Sequence, residues 1–567
     1  MICALPAYTI SWTDPNERHY DIAISFTAPA DRPRLTLPAW RPGRYMIQNY
    51  AANVTQWRAA ALDGHSLEIQ KDGKSSWRVE AKAGERITVT YRYYAGVLDA
   101  GSSFLDESEA YFNGTNLFMM VEGLRGEESR LSVAAPSDWR IETQLPAEDA
   151  NTFVARDYDH LIDSPVIAAP RMTRHSFSES GAVVHLIFIG SENLDTDQLI
   201  EPVREIVREQ ARVFGGLPIR EYRFLTHIGG KWHGVEHEAS CSIVAKRSDL
   251  LGATIGSPGY DHFLSICSHE FFHLWNVKRI MPAAFAPYDY SRETLTRLLW
   301  VMEGVTSYYG ELTLARAGLW DESRYLVHLA REIETLENLP GREVLSLSQA
   351  SFDAWLQNDM HDRANALISF YNKGEVVSAL LDLTIRRESR GEKSLDDVML
   401  LLWRNQAPLA EDGFERAVAS ICDIGDFFVR YVHGTEPLPY EELLASAGIE
   451  IDSTRRDAAP ALAATLRSDG GRLVVVNALR GAAGMRAGLL PDDEIISIDG
   501  TRTTTETDVS NALRSLDPGT AVEMIVSRAG VVRAMTLTAS PDPRVKVMLR
   551  AVGANAMRDR WLRRINA

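Results

Sequence analysis

The sequence predicts a multidomain α+β protein, and three observations carry that reading. The chain has 567 residues, which at roughly 150 residues per domain means three to four domains rather than one core. The hydrophobic period changes along the chain, from alternation in the first third to helical spacing in the middle and back to alternation near the end. With 45% hydrophobic and 24% charged residues, the composition is that of a globular protein and excludes a disordered or fibrous one.

From the start to about Ala168, β-branched and aromatic residues alternate with polar ones in YDIAISFTA, PRLTLPAW, RITVTYRYY, RLSVAAP and WRIETQL, separated by Gly, Pro and Asp clusters. This pattern predicts an antiparallel, sandwich-like β domain over 1–168. The strand AVVHLIFIG and the helical run LDTDQLIEPVREIVREQARVFGGLP then open a second domain, 169–450. It continues with the strand EYRFLTHI, the Gly-rich stretch GGKWHGVEHEASCSIV and, from Tyr260 onward, long amphipathic segments, so it is expected to be mostly helical. The polar stretch 451–460, IDSTRRDAAP, lacks periodicity and reads as a linker. Over 461–543 a strand, strand, helix, strand order predicts a small β-rich module. The tail, 544–567, carries Arg544, Lys546, Arg550, Arg558, Arg560, Arg563 and Arg564 against Asp559. Trp561, Leu562 and Ile565 among those arginines predict a segment that docks on the acidic body of its own chain.

Lys plus Arg is 60 and Asp plus Glu is 77, a net charge of −17, which repels polyphosphate and argues against a nucleic-acid partner. The four cysteines, Cys3, Cys241, Cys267 and Cys422, form no C-x-x-C pair, which suits a reducing compartment. No window approaches the 18 or so apolar residues that span a bilayer, so no membrane partner is expected. The N-terminus lacks a basic segment followed by an apolar run. A cytoplasmic protein is therefore expected, or a periplasmic one where a leader has been removed.

The sharpest motif is HEFFH, His269 to His273, inside the apolar segment FLSICSHEFFHLW. On a helix, positions i and i+4 share one face, so both imidazoles can reach one zinc ion while Glu270 projects beside them. A hydrolytic zinc site needs a third protein ligand. Glu303 in LLWVMEGVTSYYGEL is the best candidate, because a lone carboxylate in an apolar helical stretch is costly to bury unless a metal compensates it. Glu311 and Glu293 are rivals in more polar surroundings.

HEFFHLWNVKRI, the downstream EGVTSYY, the later YNKG, and LPAWRPGRYMIQNYA and YFNGTNLFM near the start together resemble the glycyl aminopeptidase family of zinc metallopeptidases. That family shares a thermolysin-like catalytic fold with the aminopeptidase N family. The resemblance covers nearly the whole chain. It implies an N-terminal β domain, a thermolysin-like catalytic domain and a C-terminal PDZ domain, with His269, His273 and Glu303 binding one Zn²⁺ and Glu270 as general base. Such a base takes a proton from the attacking water and returns it to the leaving amine.

Two further residues follow. Tyr371 in SFYNKGEVV matches the tyrosine that stabilises the oxyanion in related aminopeptidases, with a packing tyrosine on an amphipathic helix as the alternative. Glu236 in HGVEHEAS falls where the exopeptidase motif would place the carboxylate that holds a substrate's free ammonium. His233 stands there in place of the usual Gly, Glu238 is only two residues away, and a charged surface hairpin is the alternative. Tyr308 and Tyr309 read as packing residues, and His233 and His237 as loop histidines.

RGAAGMRAGLLPDDEIISIDG, residues 480–500, resembles the core of a bacterial-type PDZ domain. A PDZ groove binds a peptide C-terminus as an added strand, its carboxylate on backbone N–H groups of a Gly-containing loop. Here Ala463 and Ala464 stand where a Gly is usual, which argues against peptide capture. The expected function is zinc-dependent removal of the N-terminal residue from peptides, with the resemblance implying small residues such as Gly and Ala. The alternatives are a zinc endopeptidase with no need for a free amine, and a PDZ peptide-binding scaffold with a vestigial metal site.

Overall fold

The computed structural model of the chain describes residues 5–356, 363–455 and 459–563. Cys3, Arg564 and Ile565 lie outside the described residues. The chain packs as two compact units, one built from the residues up to Leu295 with Tyr309–Leu319 and Met399–Asp412, the other from Thr296–Tyr308, Trp320–Val398 and the residues from Gly413 onward.

The first unit begins with a seven-stranded sheet whose strands run in the order Thr152–Ala155, Ser129–Ala134, Ala7–Ser11, His19–Thr27, Arg86–Tyr94, Val54–Ala61, Ser66–Leu67. Strict alternation decides which face is covered. Along His19–Thr27 the side chains of Tyr20, Ile22, Ile24 and Phe26 are buried, and Ile87, Val89, Tyr91 and Tyr93 answer them from the neighbouring strand. Two four-stranded sheets complete this β region.

The same unit then forms a mixed five-stranded sheet. Strands β1 (Thr173–Glu179), β2 (Ala182–Ile189), β3 (Glu221–Gly229), β4 (His233–Glu236) and β5 (Ser240–Lys246) lie in the order β1-β2-β3-β5-β4. β2, β3 and β5 are mutually parallel, and the edge strand β4 runs antiparallel to β5. Helix α1 (Ile200–Phe214) links β2 to β3, and α2 (Pro258–Phe272) follows β5 with Pro258 in its first turn. Helix α3 (Val305–Arg316) meets α2 at Gly310. Ser268 of α2 donates to the Gly310 carbonyl at 2.7 Å, and Gln210 of α1 donates to the Ser268 carbonyl at 2.8 Å, which fixes the depth of α2 one residue before His269.

In the second unit, Trp300–Gly304 forms a π turn that leads into α3. Gly304 lies on Gly374 of α4 (Phe370–Glu388), where a β-carbon on Gly304 would come within 2.5 Å of the Gly374 Cα. The glycines of the EGVTSYY and YNKG motifs are thus the contact that lets the two segments touch.

The segment read as a linker is partly sheet: Ile449–Arg455 pairs antiparallel with Val545–Ala551. The pairing spans about a hundred residues of sequence, and five of the seven residues of Ile449–Arg455 are polar, so no local period marks it. The tail beyond it forms helix α5 (Ala556–Leu562), with Trp561 fully buried and Leu562 nearly so. Trp561 donates to Tyr308 Oη at 2.8 Å, and Tyr308 donates to Asp382 Oδ2 at 2.6 Å. Arg558 pairs with Glu322 at 3.0 Å.

The C-terminal module is a sheet in the order Ala464–Asp469, Arg472–Ala478, Glu494–Ile498, Ala521–Arg528, Val531–Thr538, crossed by the helix Glu506–Arg514 with its Thr505–Asp508 capping box. A groove of about 300 Å³ lies between Ala459–Leu466 and that helix. At its head Ala463 takes a left-handed φ of 49°, the conformation for which a Gly is usual.

Candidate active site

The HEFFH motif occupies the end of α2, with His273 closing the helix in helical geometry. Consecutive turns therefore bring the two imidazoles together, and their Nε2 atoms lie 3.1 Å apart. His273 Nδ1 donates to the Asn276 carbonyl at 2.7 Å. That bond leaves a lone pair on Nε2, the form a metal requires. Two imidazoles facing each other at this distance match the roughly 3.3 Å N···N edge set by Zn–N bonds of about 2.0–2.1 Å in a tetrahedral site.

Glu303 lies in the π turn and is 2% exposed. His269 and His273 offer the two imidazoles, and Glu303 is the buried carboxylate that the sequence singles out as the third ligand. The rivals fall elsewhere: Glu293 is exposed, and Glu311 accepts a hydrogen bond from Ser265. This donor set of two imidazoles and one carboxylate suits zinc.

Glu270 is 6% exposed, and its carboxylate lies over Gly234 of β4, where a β-carbon would displace it. Glu236, at the end of the same strand, is 4% exposed and rests on Gly43, where a β-carbon would come within 2.5 Å of its Oε2. Gly43 sits at φ 75°, so glycine serves both the turn and the close approach. Glu236, Glu270 and His273 again present atoms within 4.8 Å of one another. The surface-hairpin alternative for Glu236 fails on burial. Glu238 instead faces outward and pairs with Arg156 at 2.6 Å. Tyr371 stands in the first turn of α4, 36% exposed, its ring 4.8 Å from that of Phe370. Tyr309 stacks on Phe272 at 4.5 Å.

Sequence reasoning missed a buried network behind β4. Asp163 Oδ1 accepts from Lys278 Nζ at 2.8 Å and from His237 Nδ1 at 3.2 Å, and Oδ2 accepts from the Glu238 N–H at 2.9 Å. Burial would raise the Asp163 pKa, but Lys278 and His237 outweigh it and hold the group at about 2. Burial lowers the His237 pKa against the pull of Asp163, so its ring is neutral at pH 7. Between Asn276 and Lys278, Val277 adopts φ 132°, a strained backbone for a β-branched residue. The one available signal was Lys278 inside HEFFHLWNVKRI; its partner lies 115 positions away in the β region. His233, the other loop histidine, accepts from the Ala100 N–H at 3.2 Å, and burial and Arg41 depress its pKa to about 4.

Comparison with known families matches residues 7–170 to the peptidase M61 N-terminal domain and 262–377 to the M61 glycyl aminopeptidase domain. The chain is thus similar to the M61 glycyl aminopeptidase family over those two stretches. A third match, 474–528, is to a PDZ domain. The chain is similar to a crystal structure from Idiomarina loihiensis described as an aminopeptidase N family protein, at 29% identity and a TM-score of 0.93, over 98% of this chain and 100% of the other. An M1 zinc metallopeptidase from Deinococcus radiodurans aligns at 14% identity and a TM-score of 0.49, over 77% of this chain and 95% of that one. No curated protein matches the chain. The match over 262–377 supports a peptidase. Among the described residues no helix is long and apolar enough to cross a membrane.

Proposed function

We propose that this peptidase removes the N-terminal residue of peptides, preferring small first residues as the family resemblance implies, with one zinc ion held by His269, His273 and Glu303. Zinc bound there supplies a Lewis acid that polarises the scissile carbonyl and acidifies water. Glu270, held over Gly234, takes the proton of the attacking water and delivers it to the departing amine. Tyr371 donates a hydrogen bond to the oxyanion.

The observation that carries the exopeptidase reading is the placement of Glu236. A buried carboxylate within 4.8 Å of both Glu270 and His273, on the same edge strand that carries Gly234, needs a cation. The free ammonium of a peptide supplies it and sets the scissile bond one residue from the chain end. An endopeptidase has no use for that charge at that place. The decisive comparison is hydrolysis of Ala-Ala-Ala against its N-acetylated form: cleavage of the free peptide alone supports the reading, and equal cleavage of both refutes it. Glu236→Gln should raise KM for the free peptide with a smaller change in kcat.

For the C-terminal module, a peptide C-terminus in the groove between Ala459–Leu466 and Glu506–Arg514 is the binding mode its fold class uses. Ala463 at φ 49° keeps the backbone turn that mode requires. The unpaired thiols of Cys241, Cys267 and Cys422 suit a reducing, cytoplasmic setting.

A further inference from the structure

A cavity of about 210 Å³ opens within the first unit, next to the segments that hold Glu236. Pro42 lines it, one residue before the glycine on which Glu236 rests, and so does His237, one residue after Glu236. Lys278 and Tyr288, also in the lining, lie within electrostatic reach of the Glu236 carboxylate. Its volume is below the roughly 300–1,000 Å³ of pockets that enclose whole small molecules and suits a side chain.

Most charges around the cavity have partners of opposite sign, while Arg41 donates to the Pro42 carbonyl at 3.0 Å and Arg279 to the Leu274 carbonyl at 2.6 Å. Asp163 holds Lys278, Arg156 pairs with Glu238, and Asp159 accepts from Arg125 at 2.7 Å and from Tyr290 at 2.6 Å. Four buried polar atoms of its lining have no protein partner: Arg41 Nε, Asn113 Nδ2, His237 Nε2 and Tyr288 Oη. Their chemistry is specific. A carboxylate can only accept, so Asp163 fixes the proton of His237 on Nδ1 and leaves Nε2 as a bare acceptor. Tyr288 can donate or accept. His237 is 3% exposed, so a group that failed to satisfy it would leave a polar atom desolvated.

We propose, on the aminopeptidase reading above, that this cavity receives the side chain of the substrate's first residue and favours a neutral group that both donates and accepts, a carboxamide above all and a hydroxyl next. An amide N–H donates to His237 Nε2 while its carbonyl accepts from Tyr288 Oη–H. A carboxylate has no proton for His237 Nε2, and an aliphatic side chain leaves these polar atoms unsatisfied. First-residue specificity thus extends beyond Gly and Ala to Asn and Gln.

The test uses the full-length enzyme with the dipeptides Ala-Ala, Asn-Ala, Gln-Ala and Leu-Ala. The expected result is a kcat/KM for Asn-Ala and Gln-Ala at least about tenfold above Leu-Ala. Tyr288→Phe, which removes a hydroxyl bonded to nothing in the protein, should lower the ratio of Asn-Ala to Ala-Ala by about tenfold. A wild type that cleaves Leu-Ala as fast as Asn-Ala, or a Tyr288→Phe ratio that does not move, overturns the proposal while the aminopeptidase reading stands. If no dipeptide is cleaved, that reading fails, and calorimetry still decides on the pocket. L-asparaginamide should bind more tightly than L-leucinamide and lose that advantage in Tyr288→Phe; equal binding of the two amides rejects it.

Discussion

The carboxylate of Glu270 lies directly on the backbone of Gly234, in the space that a β-carbon at that position would occupy. The general base is therefore aimed by the edge strand as well as by its own helix. The backbone of Gly234 is ordinary strand, so alanine there strains nothing except the carboxylate it displaces. Gly234→Ala should lower kcat by about a hundredfold, the scale of a 1 Å misplacement. The circular dichroism spectrum and zinc content should stay at wild-type values. Activity within threefold of wild type would show that Glu270 does not depend on that surface.

Tyr371 can be separated from a packing role by kinetics. Loss of a donor to an oxyanion costs about 10²–10³ in kcat. Tyr371→Phe removes one oxygen from a residue that is 36% exposed, so stability should not change. The expectation is a loss of that size in kcat with KM within about twofold. A kcat near wild type would return the ring to a packing role beside Phe370.

The contact between Gly304 and Gly374 makes a prediction about the π turn. A β-carbon on Gly374 would come within 2.9 Å of the Gly304 Cα and 3.3 Å of the Trp300 carbonyl. Both are backbone atoms that cannot swing aside. Gly374→Ala should cost about 2 kcal/mol, read as a shift of the urea midpoint, and should weaken zinc retention because Glu303 precedes Gly304. An unchanged midpoint with full zinc content would contradict the account of this turn.

Acid sensitivity follows from Asp163. Its folded pKa of about 2 lies below the ordinary 3.8. A group depressed on folding stabilises the protein fully above the unfolded value, so this contribution is lost as pH falls from about 4 through about 2. Lys278→Met strands the buried carboxylate and should cost about 3 kcal/mol at pH 7. The gap between variant and wild type should shrink toward pH 2, as Asp163 becomes protonated in both. Urea titrations at pH 7 and pH 3 check this; the same gap at both values would exclude Asp163 as the source.

Much of the candidate site was legible because its chemistry is local. HEFFH places two imidazoles one turn apart by helix geometry alone, and Glu303 stood out as a carboxylate in an apolar stretch. The docked tail was legible too, since Trp561 among arginines has no reason to face water. What could not be read depends on partners far apart in sequence. Gly43 lies under Glu236, Asp163 reaches Lys278, and Ile449–Arg455 finds its strand partner about a hundred residues on. Each belongs to a quoted motif or a plain polar run, but only the packed chain says what it touches. Tyr288 and His237 define the cavity in the same way, and no periodicity points to either.

The central claim is that His269, His273 and Glu303 hold the metal. Anomalous diffraction at the zinc edge, from crystals grown with zinc, tests it most directly. The account predicts one peak about 2.0–2.2 Å from the His269 and His273 Nε2 atoms and a Glu303 carboxylate oxygen. A peak held instead by Glu236, Glu270 and His273, or none at full zinc occupancy of the buffer, would contradict it.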